Sequence, residues 1–364
     1  MKSAFGTSRK TDVDAAVSEA TANIKEAKAI LFFADYDRLE GVGKLLKKNY
    51  PQAQIIGTAG IAHYNSMIAE NGLLIVTAIM SGAEVSAGVI QNLSTSPLTD
   101  IGKLEASVKK VSPGKSDTVC IEFCTNDEEV LVSTMNVVLD RKGISLAGGT
   151  VFGTPEGKDS LVCCNGEVYK DACAYMVIKN QGGKAYVVRE NIYDRADGPA
   201  HIATKVNLKK KELIELDHRP AAEVYSAETG VPKNGIVDNV LKQPLGRVID
   251  EDVYISSMNG VDAGGAITNY KQINENDAIF ILKLLDYRSI NKQTKSVIEG
   301  YISKPSLIFS VNCIYRYLLF SQEGYLDEFL RLLSGIGPVV GYIGGGEQFN
   351  RQHVNQTMVC AIFE

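Results

Sequence analysis

The chain has 364 residues, with 38 Lys+Arg against 43 Asp+Glu and a formal charge of −5. This argues against a nucleic-acid binder, which needs a basic face to neutralise phosphates. Hydrophobic residues make up 45% and charged residues 22%, a balance that excludes a disordered chain, and at roughly 100 to 200 residues per domain the length suggests two domains or three small ones.

One pattern recurs three times along the chain: helix, apolar strand, helix, apolar strand ending in glycines, loop, apolar strand. In the first copy Val13, Ala16, Val17, Ala20, Ile24 and Ala27 follow helical spacing after a Thr11 cap, with Asp14 three residues on. The strand Ala29 to Ala34 follows, then a helix carrying Leu39, Val42, Leu45 and Leu46 that Pro51 closes. Gln54-Ile55-Ile56 runs into Gly57-Thr58-Ala59-Gly60, and Leu73 to Ile79 returns as a strand.

The second copy opens at Ser96-Pro97, a cap followed by proline at the first helical position, with Ile101, Leu104, Val108 and Val111 on one face. Thr118 to Phe123 is its strand. Val130, Leu131, Thr134, Val137 and Val138 mark its second helix, the next strand ends at Gly148-Gly149-Thr150, and Ser160 to Cys164 and Ala174 to Ile178 are strands. Residues 200 to 285 differ, with short strands at Arg247 to Ile249, Val253 to Ser256, Gly265 to Asn269 and Ala278 to Leu285 between Gly, Asn and Asp turns. The third copy places Ile290, Thr294, Val297, Ile298 and Tyr301 on a helix, Ser306 to Val311 in a strand, and Tyr325, Leu326, Phe329, Leu330 and Leu333 on a second helix. Pro338-Val339-Val340 leads into Gly341 and Gly344-Gly345-Gly346-Glu347, and Thr357 to Phe363 closes the chain.

Apolar strands alternating with amphipathic helices predict an α/β fold of layered sheets flanked by helices. The polar turn Asp194 to Pro199 predicts a boundary between domains 1–198 and 199–364. No apolar stretch approaches the roughly 20 residues of a membrane span, and the opening residues lack a signal-peptide core, so a cytoplasmic protein without membrane contact is expected. The seven cysteines, 120, 124, 163, 164, 173, 313 and 360, contain no C-x-x-C pair and read as small buried hydrophobes. Lys209-Lys210-Lys211 reads as a solvated loop.

In open α/β sheets ligands lie outside the carboxyl ends of the strands, where glycines let a backbone approach closely. Gly57 and Thr58, Gly148, Gly149 and Thr150, and Gly345 and Gly346 are therefore candidate ligand contacts, against the reading that they only permit tight strand exits. Gly41-Val42-Gly43-Lys44 fails as a phosphate loop, with no glycine five residues before Gly43 and Leu45 in the Ser/Thr position, and fails as a dinucleotide fingerprint at Leu46. The four histidines are scattered and predict no metal site. The last sixth of the chain carries the most chemistry. Arg316 would hold a carboxylate bidentately, Glu347 an ammonium, and Asn355 and Thr357 neutral groups, together a receptor for a small zwitterion such as an amino acid. Two alternatives stand beside it: an internal Arg316–Glu347 ion pair, and a thiol hydrolase or transferase in which His353 and Asn355 activate Cys313.

The chain resembles the FIST (F-box and intracellular signal transduction) sensory proteins over nearly its whole length, as a FIST N-terminal followed by a FIST C-terminal domain. The likeness rests on Ser8 after Gly6-Thr7, the Ala-rich first helix, Ile55 to Gly60, Leu146 to Thr150, Arg219 to Tyr225, Gln243 to Arg247, Asn312 to Arg316, and Gly344 to Gln348 through Asn355-Gln356-Thr357. The resemblance implies an intracellular module that senses small molecules such as amino acids. The two domains use up the 364 residues, so an output through a separate signalling protein is expected. Some FIST-like proteins bind haem and respond to nitric oxide. No cofactor is expected here, and His63 beside the first glycine turn is the haem ligand to weigh.

Overall fold

Continuous apolar runs can only be stable with both faces covered, and in Ala29–Phe33, Thr118–Cys124 and Leu307–Cys313 every residue is buried. The computed structural model describes residues 1–65, 68–249 and 251–364. Each of these three strands lies parallel to the strand that carries its glycine turn: Gln54–Thr58, Ser145–Thr150 and Val339–Gly344 respectively. The crossovers are helical, through Leu39–Asn49, Glu128–Leu139, and the pair Ile314–Gln322 and Leu326–Ser334. On its other side each central strand meets an antiparallel partner, Leu74–Ser81, Ala172–Asn180 or Thr357–Phe363, and each of these carries an edge strand, Lys2–Ser8, Ala83–Gln91 or Ala185–Asn191. The three copies seen in the sequence are three six-stranded sheets of the same order.

The chain that leaves each glycine turn crosses to another copy. After the first turn, His63–Asn65 pairs with Val339–Gly344; after the second, Val162–Cys164 pairs with Gln54–Thr58; after the third, Glu347–Phe349 pairs with Ser145–Thr150. The exchange closes in a ring of three, and the Met1 ammonium donates to the Glu364 carbonyl at 3.0 Å to join its ends. The sheets enclose a common core in which Phe33 and Phe123 lie 5.4 and 5.6 Å from Tyr342, and Phe33 lies 6.2 Å from Phe309. Between the edge strand and first helix of the third copy runs an inserted segment, with strands from Tyr193–Arg195 to Ala278–Leu284 in a nine-stranded sheet. Strands on either side of residue 198 share sheets, and that position falls inside the insertion.

Several local expectations are corrected. The first helix is Val13–Ala20, capped by Asp12, whose carboxylate accepts from the Ala15 N–H at 2.9 Å. It ends where the Thr21 hydroxyl bonds back to the Val17 carbonyl at 2.7 Å, a side-chain bond that competes with helix continuation. The edge strands 2–8 and 83–91 were not anticipated, because Gly, Ser and Glu break their apolar pattern. Helix Glu128–Leu139 turns Leu131, Thr134, Met135 and Leu139 inward, and leaves Val130 and Val137 exposed at 42% and 43%. Val297 and Tyr301 are likewise on the outside of helix Tyr287–Tyr301. Lys211 bends inward to Glu128 at 2.8 Å, whereas Lys209 and Lys210 stay in solvent. All seven cysteines are free and buried, and no helix among the described residues is long and apolar enough to cross a membrane.

Candidate functional site

The register of the exchanged hairpin brings the second and third glycine turns together. Glu347 lies opposite Gly149 and Gln348 opposite Gly148. The Thr150 N–H donates to the Gly346 carbonyl at 2.9 Å, and the Gly345 N–H returns to the Thr150 carbonyl at 3.0 Å. The glycines are required by this closeness. A Cβ on Gly149 would lie 2.5 Å from the Tyr342 hydroxyl, and one on Gly346 2.5 Å from the His353 ring. The first turn touches the third through the Ile343 N–H, which donates to the Ala62 carbonyl at 2.9 Å. Gly57 and Thr58 themselves pair with Cys163 and Val162, away from the hairpin.

Glu347 is wholly buried. Its Oε2 accepts from the Thr357 hydroxyl at 2.7 Å and the Thr357 N–H at 3.1 Å, while Oε1 has no hydrogen-bond partner among the described residues. Burial pushes its carboxyl up to about 8, against the opposing pull of the Thr357 bonds, the Cys313 thiol and the Arg316 charge. Tyr342 Oη, opposite His63 on the adjoining strand, is another buried atom without a partner among the described residues. On the other face of the hairpin strand, Gln348 Nε2 donates to Thr150 Oγ1 at 3.1 Å, and Thr150 donates to Glu128 at 3.2 Å. His353 Nδ1 lies 3.0 Å from Gln348 Nε2, and its Nε2 lies 3.4 Å from Asn355 Nδ2. Asn355 Oδ1 accepts from the Ser257 N–H of the insertion at 3.2 Å, and the Lys271 ammonium donates to the His353 carbonyl. The insertion thus grips the far end of the hairpin that carries Glu347.

Arg316 does not join this set. Its guanidinium pairs with Glu190 and bonds Asn312 Oδ1 at 2.8 Å, with both members of the pair out of solvent. Asn291 donates to the same Glu190 oxygen at 2.7 Å. The partner expected from the sequence, Glu347, feels Arg316 only through its charge. Both are sealed, and none of the expected contacts borders the surface cavities of 250 to 480 Å3. Among the residues the sequence reading passed over, Glu122 was detectable: one carboxylate inside a buried apolar strand, raised to about 8 by burial. Glu190 had no such signal, since it lies 126 positions from Arg316.

The thiol reading does not fit the geometry. Both ring nitrogens of His353 meet side-chain amides, and burial first, then the Glu347 charge, pushes the Cys313 thiol well above its ordinary range. A thiol held protonated is a poor nucleophile. Iodoacetamide at neutral pH should therefore leave Cys313 unmodified in the native protein and label it after denaturation, as read by peptide mass spectrometry; rapid native labelling would restore the catalytic reading. Haem does not fit His63 either. Its ring is fully buried, with Nδ1 2.6 Å from the Leu73 carbonyl oxygen, Phe33 packed at 6.0 Å, and Nε2 without a partner among the described residues, so a porphyrin would have to displace this packing.

Comparison with protein families matches residues 28–219 to the FIST N domain and residues 221–350 to the FIST C domain. Comparison with curated proteins gave no match.

Proposed function

The chain belongs to the FIST family, whose domains are sensory domains of signal transduction, and we propose that within that role it detects, inside the cell, a small molecule bearing a protonated amine, an amino acid or a related metabolite. The observation that carries this reading is Glu347 Oε1, a buried carboxyl oxygen with no hydrogen-bond partner among the described residues, where two glycine turns meet. A buried polar atom left unpaired costs about 1 to 3 kcal/mol, and an ammonium would satisfy it. The Tyr342 hydroxyl, equally unpaired, is a donor available to a carboxylate on the same ligand. Arg316 is committed to Glu190 and takes no part.

Entry requires opening, because Glu347 is sealed. The chain after Thr150 is the cover: a Cβ on Gly345 would lie 3.0 Å from the Phe152 ring, and Gly153, at φ +84°, rests against Ile61. Binding beneath this cover would favour the closed form, and the switch moves only as far as the ligand discriminates between the two forms.

A thermal-shift screen of amino acids and biogenic amines tests the proposal. A ligand at 100 times its Kd should add about 2.7 kcal/mol of stability. That shift should vanish in Glu347→Gln. A hit that persists in the variant, or hits confined to molecules without an amine, would refute the assignment.

A further inference from the structure

Helix Glu128–Leu139 is the crossover of the second copy, and it differs from the crossover of the first in what it shows to solvent. Leu39–Asn49 exposes Glu40, Lys44 and Lys48, whereas Glu128–Leu139 exposes Val130 and Val137, two turns apart on one side with only the small Ser133 exposed between them. Two grooves flank this stripe. One, of about 250 Å3, lies against helix Ile101–Val111 and is lined by Ile101, Val108, Val137 and Val138; the other, of about 480 Å3, runs past Val130 to Leu98, itself 59% exposed. Val137 borders both, so the band is continuous. A contiguous exposed apolar band rimmed by polar residues marks an interaction site.

The rim identifies the occupant. Lys109, Arg141 and Lys142 border the first groove against a single carboxylate, Glu105, which Lys109 already pairs at 3.0 Å, and the one carboxylate of the second groove, Glu129, has the Lys211 ammonium at 3.9 Å. A basic rim on a chain of net charge −5 selects an acidic partner. A second copy docking by the same face would set these cations against themselves across the twofold axis. We infer that this band receives an acidic amphipathic helix of a separate protein, its apolar residues at i, i+3, i+4 and i+7 lying along Val130 and Val137 and its carboxylates on Arg141 and Lys142. The exposed helix of 12 residues spans about 18 Å, room for some three turns of such a partner. This inference stands whether or not Glu347 binds a ligand.

The test uses the full chain and three labelled peptides that share one leucine stripe and carry Glu, Lys or Gln on the flanks. Fluorescence anisotropy should rank the Glu peptide at least about tenfold tighter than the Lys peptide, with the gap closing in high salt. Val137→Asp should abolish binding, and Lys142→Glu should invert the preference; both positions are exposed, and far-UV circular dichroism checks that the fold is retained. Equal affinities, no binding by any peptide, or binding indifferent to Val137→Asp would overturn the inference. So would a dimer in analytical ultracentrifugation that Val137→Asp dissolves, since the face would then belong to self-association.

Discussion

Replacing Arg316 by Met should destabilise the protein by about 3 to 5 kcal/mol, the range for breaking a buried ion pair by removing one partner. The damage comes mostly from what remains. Glu190 is 3% exposed, and without the guanidinium its charge is left with the Asn291 amide in a region built to exclude water. The guanidinium also lies 5.0 Å from the centre of the Phe320 ring, a contact that a Met side chain replaces only in part. The double variant Arg316→Met with Glu190→Gln should recover most of the loss, because a neutral amide can stay buried on hydrogen bonds alone. Urea unfolding of the four proteins closes the cycle. A single variant as stable as the wild type, or a double variant no better than the single, would show that the pair does not hold the edge strand Ala185–Asn191 to helix Ile314–Gln322. Since Arg316 is not assigned to the ligand, an amine hit should keep its affinity in Arg316→Met measured well below melting.

The limits of the sequence reading follow from the same physics. Ala29–Phe33, Thr118–Cys124 and Leu307–Cys313 are legible because a strand covered on both faces is mostly apolar, and their spacing exposes the threefold repeat. The exchange of hairpins is not legible. His63–Asn65, Val162–Cys164 and Glu347–Phe349 are three residues each, too short for periodicity to name a partner. Helix Glu128–Leu139 misleads because Val130, Leu131, Val132, Val137 and Val138 put apolar side chains on nearly every side, so its buried face is set by the sheet it meets. At the site, the glycine turns were legible and two of them do meet. Arg316 pairs with Glu190 and not with Glu347 because a buried guanidinium takes the carboxylate that topology supplies, and that carboxylate lies on the far side of the inserted segment.

The second large effect is the pH dependence of Glu347. Burial holds its folded carboxyl near 8, against an ordinary 4.5. Between those values the folded protein keeps a proton that the unfolded chain has released, so this group's contribution to stability falls as pH rises through the window and is constant on either side. At 1.36 kcal/mol per pKa unit, a shift of this size corresponds to about 3 to 5 kcal/mol. The wild-type profile alone does not isolate it. Glu122, also raised to about 8, adds a fall over the same range. His63, lowered to about 4, opposes it at acid pH, and Lys271, lowered to about 7 by burial and the nearby Arg247, opposes it above neutrality. The difference between Glu347→Gln and wild type removes those shared contributions. That difference should be flat below about pH 4.5, swing in the variant's favour by about 3 to 5 kcal/mol up to pH 8, and flatten again. A difference independent of pH would mean that Glu347 is ionised in the folded protein, with its Oε1 satisfied in some other way. The same proton bears on sensing: a protonated amine that docks on Glu347 must ionise it, so binding near pH 7 should release a proton. Calorimetric titration of any amine hit in buffers of different ionisation enthalpy should show that release in wild type, with no binding heat in Glu347→Gln.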